Sequence, residues 1–289
     1  TDDLNLYGNI ARGTKPGDFN DSEQCPDLPP EVDEESAWNY EIGLKGSIWD
    51  DRATFAVAGY FLDVEDQQLT TVCENPATGA TSSGISNVGK TEVFGIEFES
   101  TIALTDFWTA GLTYAFTDSE ITEAINIDQA DLLGSSGSFE DTVALGNIAG
   151  QQSPRVPEHM FSLFTRLEGQ INAGNSWWVG VDYAFESSKY SQVHNLIETG
   201  DRNILGGSIG VNLGENWQLS IWGKNLLDDD TPVDVLRYVD RRSGTLPACT
   251  DFESPENCTG SSTTPRGFAN SLMRERTYGA RVVYRFGGM

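Results

Sequence analysis

The sequence predicts an all-β protein, an antiparallel transmembrane β-barrel wall of about ten strands. Apolar and polar side chains alternate with a period of two along many segments, as they do in strands with one apolar face. Aromatic residues make up 10% of the chain, and it has 30 Gly but only 3 Met. Short and long connections also follow one another in strict turn, which is typical of barrels with short periplasmic turns and long extracellular loops.

The charge and hydropathy of the chain exclude two classes of protein. Its 289 residues carry a formal net charge of −26, so it lacks the basic surface that a nucleic-acid partner would need. No apolar run approaches the roughly 18 residues of a membrane helix. A barrel strand escapes such a search, because only alternate residues face lipid.

The alternation places ten strands along the chain. They are predicted at 4–12, 38–49, 53–66, 91–103, 107–118, 158–169, 176–189, 202–212, 216–225 and 273–286. Each is near or above the 9–11 residues with which a tilted strand crosses a bilayer. In the last strand the outward set is Tyr278, Ala280, Val282, Tyr284 and Phe286, and Arg281 and Arg285 point to the lumen.

The connections predict how the strands are arranged. Tight turns at 50–52, 104–106, 170–175 and 213–215 alternate with long loops at 13–37, 67–90, 119–157, 190–201 and 226–272. Strands of alternating direction then put every short turn on one side and every long loop on the other. A soluble sandwich is the alternative, but its dry core would not tolerate the many charges on one face. These charged residues are Lys45, Arg166, Lys224, Arg281, Arg285, Glu41, Glu97, Glu99, Glu168 and Asp182.

Several residue patterns resemble catalytic, metal-binding or ligand-stacking motifs, but a structural role explains each of them better. The sequence 206–210 matches the GxSxG pattern of serine hydrolases, but it lies within a predicted strand and no histidine follows it. His159 and His194 lie on separate segments, so we predict no metal site and no cofactor. The run of Asp228 to Asp230, followed by Asp234, is interpreted as a solvated acidic loop. Tryptophan and tyrosine residues near strand ends are interpreted as an interfacial girdle: Trp38, Trp49, Trp108, Trp177, Trp217 and Tyr284.

All four cysteines fall in long connections, at Cys25, Cys73, Cys249 and Cys258. An even number of them fits an oxidising compartment. Three pairings are possible, and we favour Cys249 with Cys258, which encloses a short loop, together with Cys25 and Cys73. Free thiols are the alternative.

One basic cluster stands in this acidic chain, within the longest loop. It consists of Arg237, Tyr238, Arg241 and Arg242. Arginine forks suit carboxylate or catecholate-type anions, so these residues are candidate ligand-binding residues. Salt bridges to neighbouring acidic loops are the alternative.

Five motifs, in order along nearly the whole chain, resemble TonB-dependent outer-membrane receptors. Residues 7–20 resemble the family's "Y…A.G.KPG.FN" strand and loop, and residues 35–45 its "E…..YE.G.K" strand. Residues 87–97 resemble "N.G....G.E", residues 223–228 resemble "..NL.D", and residues 276–286 are similar to the closing strand.

The resemblance implies a function and a set of partners. The family has a plug, a TonB-contacting segment and a twenty-two-stranded barrel, and residues 1–289 resemble the last ten strands of that barrel without a plug. It implies a non-enzymatic receptor in the bacterial outer membrane, surrounded by lipid and energised by TonB through the plug. Its ligand would be a scarce nutrient, most often a ferric siderophore. A complete ten-stranded outer-membrane hydrolase and a passive porin are the alternatives.

The resemblance also makes a prediction about closure. If these strands end a larger wall, 4–12 should not pair with 278–286, and the sheet should stay open.

Overall fold

Ten long strands form the body of the protein. The structure, a computed structural model, describes residues 3–26, 28–75, 80–87, 89–126, 129–130, 133, 138–239 and 266–286. The ten long strands are β1 (Leu4–Lys15), β4 (Glu35–Ile48), β5 (Ala53–Glu65), β8 (Lys90–Thr105), β9 (Trp108–Glu123), β11 (His159–Asn172), β12 (Asn175–Glu186), β13 (Arg202–Leu213), β14 (Trp217–Lys224) and β17 (Thr277–Tyr284). Each overlaps one predicted strand, so the predicted strand pattern is confirmed.

These strands form one antiparallel sheet in the order β1-β4-β5-β8-β9-β11-β12-β13-β14-β17. Every neighbouring pair is consecutive among the long strands, and each joins its neighbour by antiparallel pairing. The short turns at 49–52, 106–107, 173–174 and 214–216 therefore lie at one end, called the turn end, and the long connections lie at the other, called the loop end. The predicted separation of turns and loops is confirmed.

The sheet is open. Among the described residues, β1 pairs only with β4, and β17 pairs only with β14. Both outer strands keep one edge without a partner in this sheet. The predicted absence of pairing between 4–12 and 278–286 is confirmed.

The register divides the side chains between two faces, the apolar face and the polar face. Directly opposed residues share a face, so the row Tyr284–Trp217–Leu213 lies on the apolar face. Side chains of this face are exposed although they are apolar, for example Ile42 at 63% and Val282 at 64%. A soluble sheet would bury them, whereas lipid would cover them.

The polar face carries all ten charged residues that the sequence assigned to a lumen. Two of them, Arg166 and Glu168, form an ion pair of 2.7 Å. Large aromatic side chains on this face cover glycines of the next strand. An added Cβ at Gly210 would stand 2.7 Å from Trp178, and one at Gly279 would stand 2.8 Å from Trp222. Glycine at these positions therefore makes room for a neighbouring ring.

The long connections contain secondary structure that the sequence interpretation treated as loop. Two residues of β10 (Gln151–Gln152) add to the edge of β9, so the sheet has eleven strands. The other added elements are the hairpins β2 (Asp18–Phe19) with β3 (Glu31–Val32), β6 (Gln68–Asn75) with β7 (Ala80–Asn87), and β15 (Asp234–Val239) with β16 (Arg266–Ser271), and the helix α1 (Phe139–Gly146). The three hairpins form separate two-stranded sheets outside the wall. Their sequences therefore need no long alternation of apolar and polar residues. Within the described residues, no helix is long and apolar enough to span a membrane.

The acidic run is a solvated loop in part: Asp228 and Asp230 are exposed, whereas Asp229 is half-buried, and the first two carboxylates are hydrogen-bonded within the protein. Asp228 accepts hydrogen bonds from the backbone and guanidinium of Arg276, both at 3.0 Å, and so ties the end of β14 to the start of β17. Asp229 accepts from the backbone N–H groups of Asn203 and Thr231, at 2.6 and 2.9 Å. These carboxylates organise the connection because they accept from backbone N–H groups of three chain segments.

Candidate functional site at the loop end

The predicted ligand-binding residues lie in and beyond the β15–β16 hairpin. Arg237 and Tyr238 belong to β15, and their backbones pair with Phe268 and Gly267 of β16. Their side chains, and Arg241 and Arg242, lie outside what the structure describes. The sequence predicted a loop here, but Arg237 and Tyr238 lie on a strand.

The base of this hairpin is fixed to neighbouring connections. Val235 is buried, and its N–H donates to the hydroxyl of Ser191 at 3.1 Å. Asp234 accepts from Nη2 and Nε of Arg155, at 2.8 and 3.0 Å. Both nitrogens donate to the same oxygen, Oδ2, so the guanidinium holds the Asp234 carboxylate at the base of β15.

The connection 187–201 provides the surface on which the hairpin lies. Val193 packs with Ile121, Ala124 and Ile148 in an apolar cluster. The side chain of Asn195 accepts from Gln152 N–H at 2.7 Å and donates to the carbonyl of the same residue at 2.9 Å. Three connections thus form one packed assembly at the loop end of the sheet.

Three half-buried charges hold the ends of β12 and β13 together. The carboxylate of Glu186 accepts from Lys189 and from Arg202, each at 2.6 Å. The side chains of the three residues are only 12–23% exposed, so solvent screens these ion pairs less than it screens surface pairs. Sequence reasoning missed this cluster, although oppositely charged residues at the two ends of one connection were a usable signal.

Two groups in this assembly have shifted pKa values. Burial would raise the pKa of Asp229, but the hydrogen bonds from Thr231 and Asn203 and the nearby charge of Arg202 outweigh it and lower the pKa. The hydrogen bond to Glu198 raises the pKa of Tyr190. At neutral pH, Asp229 is therefore ionised and Tyr190 is neutral, which are the forms that the hydrogen bonds need.

The histidines and the serine motif have structural surroundings. His194 is buried, with Nδ1 2.8 Å from the side-chain oxygen of Gln129, and His159 contacts the hydroxyl of Tyr114 at 3.0 Å. Gly206–Gly210 lie inside β13, so Ser208 is not on the strand-to-helix turn of a hydrolase. In the part of the chain that the structure describes, no three His, Cys, Asp or Glu residues are grouped as a metal site.

Cys25 lies in a second assembly at the loop end, formed by 18–33 and the β6–β7 hairpin. It is buried and disulfide-bonded. Its Sγ is 3.4 Å from the position that a Cβ on Gly84 of β7 would occupy. Beside it, Gln24 accepts from the hydroxyl of Ser82, whose backbone is paired with Cys73. The register thus brings the backbone of Cys73 close to Cys25, while the Cys73 side chain, Cys249 and Cys258 lie outside the described parts.

We expect Cys25 to be bonded to Cys73. Mass spectrometry of non-reduced, protease-digested protein should find a peptide that joins the two, and Cys25→Ser should remove it. The same variant should lower the stability of this assembly by about 2–4 kcal/mol, the usual contribution of a disulfide that closes a long loop. Cys249→Ser is the matched control and should leave the peptide intact. A peptide that joins Cys25 to Cys249 or Cys258 would contradict the pairing.

Comparisons with known proteins match this architecture. The family model described as TonB dependent receptor-like, beta-barrel matches residues 1–226. A comparison with curated protein sequences finds no match.

Solved receptors share the fold over nearly the whole chain. The ferric yersiniabactin uptake receptor FyuA from Yersinia pestis aligns with a TM-score of 0.69 and 19% identity, over 99% of this chain and 36% of that one. The siderophore receptor PiuA from Acinetobacter baumannii aligns with a TM-score of 0.64 and 18% identity, over 98% and 34%. The copper transporter OprC aligns with a TM-score of 0.63 and 14% identity, over 99% and 38%.

The chain spans about a third of the length of these solved structures. At these identities the likeness shows the fold, and the family model covers most of the sequence. The apolar face, the ten long strands and the separation of turns from loops agree with an outer-membrane wall. The chain therefore belongs to the β-barrel family of the TonB-dependent receptors, which are transporters of the bacterial outer membrane.

Proposed function

We propose that this chain forms part of the wall and loop end of a receptor that takes up a ferric siderophore with energy from TonB. The observation that carries the proposal is the fold match, over nearly the whole chain, to receptors described as siderophore receptors. The open edges of β1 and β17 support the further proposal that the ten strands are one portion of a larger barrel. The plug and the contact with TonB then belong to residues other than these.

We further propose that Arg237, Tyr238, Arg241 and Arg242 contact the anionic groups of the ligand. The support is the anchoring of β15 at its base, through Asp234 and Val235, to the packed assembly at the loop end. A fixed strand presents its side chains with less loss of conformational freedom than a free loop does. An arginine fork suits carboxylate or catecholate-type anions on a ligand.

A binding and uptake screen tests the substrate class. Cells that express the chain within the longest reading frame containing it are given iron-loaded siderophores, cobalamin, copper and oligosaccharides. We expect saturable uptake of one ferric siderophore, and loss of that uptake in a strain without TonB. Uptake of copper alone, or uptake that continues without TonB, would overturn the proposal.

Substitution tests the basic cluster. Replacing both Arg241 and Arg242 with Gln should weaken ligand binding at least roughly tenfold, because one charge-assisted hydrogen bond contributes about that factor. Arg274→Gln is the matched control, since Arg274 is an exposed arginine of the same connection outside the cluster. Equal affinity of the double variant and the control would contradict the assignment, while the substrate screen would still stand.

A further inference from the structure

The segment 150–155 joins the edge of β9 to the β15–β16 hairpin. Its first half contains β10, which is paired with the loop end of β9. Its last residue, Arg155, donates to Oδ2 of Asp234 through Nη2 and Nε, at 2.8 and 3.0 Å. One short segment therefore links the sheet to the hairpin that carries Arg237 and Tyr238.

The backbone of Arg155 is held in a conformation that its side chain disfavours. Its φ is +65°, in the left-handed region that a residue with a long side chain rarely adopts. Two contacts hold it there: its N–H donates to the carbonyl of Tyr190 at 2.7 Å, and its guanidinium is bound by Asp234. A conformation of this kind persists only while its surroundings fix it. Loss of the Asp234 contact should therefore let Arg155 return to an ordinary conformation.

Three buried polar atoms of this segment and of β9 lack a partner. Oγ of Ser119, Oε1 of Gln151 and Oγ of Ser153 have no hydrogen-bond partner among the described residues. Gln151 lies opposite Ile121, and side chains two residues apart along an extended chain point the same way, so all three belong to one face. A hydroxyl or amide oxygen that leaves water without finding a partner is unfavourable. The position of the segment on β9 is therefore unfavourable for these side chains as well as for the backbone of Arg155.

Contacts from another connection keep the segment in place. Asn195 binds both the N–H and the carbonyl of Gln152. The connection that contains Asn195 also holds β15, because the hydroxyl of Ser191 accepts from a backbone N–H of that strand. The hairpin and the segment 150–155 thus lie on the same support, and one ion pair joins them directly.

We propose that residues 150–155 form a latch with two positions, and that Asp234 of the hairpin sets the position. While the hairpin lies on the connection 187–201, Asp234 keeps Arg155 left-handed and the segment stays on β9. When the hairpin moves away, Arg155 relaxes, the segment leaves β9, and its buried polar side chains reach water. The free energy for this release is present in the segment itself, in one strained residue and the unpaired polar atoms.

This latch makes Arg155 a positioning residue for the ligand-binding hairpin. Its role in uptake rests on the proposed function, because only a ligand that contacts the hairpin would shift it. Such a ligand would also move the segment that lies on β9, and so would change the wall of the barrel as well as the loop that it touches.

Hydrogen exchange of the ligand-free receptor tests the latch. The receptor, expressed within the longest reading frame that contains these residues, is compared with its Asp234→Asn variant by mass spectrometry of protease peptides. The asparagine keeps Oδ1, which accepts from Val235 N–H at 2.9 Å, and loses Oδ2, which binds Arg155. We expect the amides of 150–155 and of 233–236 to exchange at least roughly threefold faster, since a partly exposed ion pair contributes about that factor.

Asp228→Asn is the matched control. Asp228 also binds an arginine, Arg276, through Oδ2 at 3.0 Å and accepts a backbone N–H at Oδ1, in the same connection. Its substitution should leave exchange in 150–155 unchanged. A second variant, Arg155→Asn, removes the ion pair and provides a residue that tolerates the left-handed region. It should speed exchange in 233–236 but not in 150–155.

Heat-modifiable migration on gels shows whether each variant is folded. Unchanged exchange of 150–155 in folded Asp234→Asn, or an equal increase there in Asp228→Asn, would overturn the latch. Faster exchange of 150–155 in Arg155→Asn would overturn it too, because strain at this residue would then not be what releases the segment. No ligand enters this readout, so failure of the substrate screen would leave the latch intact and would remove only its role in uptake.

Discussion

Replacing Gly89 with alanine is expected to prevent correct pairing of β8 with β9 at the loop end. Gly89 has φ +61°, and a Cβ there would overlap the backbone carbonyl of Glu123. The backbone near Gly89 is held in place, because Asn87, two residues earlier, is hydrogen-bonded to two other segments of the chain. The side chain of Asn87 accepts from Asp33 N–H at 2.8 Å and donates to the carbonyls of Asp33 and Asp66, at 3.0 and 2.8 Å.

The expected loss is about 4 kcal/mol or more of unfolding free energy, since a backbone clash adds to the unfavourable φ. Gly174→Ala is the matched control: that glycine has φ +92° in the turn between β11 and β12, and a Cβ there would have nothing within 4 Å. It should cost only about 1–2 kcal/mol. Denaturant unfolding in detergent micelles measures both. Equal losses for the two variants would show that the contact with Glu123 is not decisive.

The same comparison explains what the motif of residues 87–97 does. The asparagine provides hydrogen bonds for three chain segments, and Gly89 allows the backbone to approach β9. A later glycine, Gly95, lies beneath the ring of Tyr60 on the polar face. Gly89 and Gly95 of this motif therefore stand where a larger side chain would not fit.

The ten strands and their two faces could be predicted from the sequence alone. A strand that crosses the wall keeps its alternation over its full length, because a register shift of one residue would move every apolar side chain to the polar face. In the structure, Ile42, Ile221 and Val282, which belong to this alternation, are exposed on the apolar face. The charged residues that alternate with the apolar residues lie on the polar face.

The assemblies at the loop end could not be predicted in the same way. Their contacts join residues far apart in sequence and have no period: Asn20 bonds to the backbone of Ile85, and His194 to the side chain of Gln129. Asp228 and Asp234 looked like solvated acids, because their arginine partners Arg276 and Arg155 lie 48 and 79 residues away. Only the three-dimensional position of each carboxylate shows that it organises a connection.

Arginine substitutions on the two faces of β13 should differ strongly in effect. Ile209 belongs to the apolar face, where it lies between Val179 and Ile221 and is 54% exposed. Ser208, the residue before it, belongs to the polar face, between Gly180 and Trp222. The two positions therefore test the faces at nearly the same depth in the membrane.

Ile209→Arg should lower the unfolding free energy in phospholipid vesicles by about 2–4 kcal/mol, the cost of an arginine facing lipid near mid-depth. Ser208→Arg adds the same side chain to a face that already holds Arg166 and Arg281, and should change stability by only about 0.5 kcal/mol. Urea unfolding followed by tryptophan fluorescence gives both values, with the protein folded as part of its complete barrel. If Ser208→Arg were the more damaging substitution, the polar face rather than the apolar face would meet the lipid.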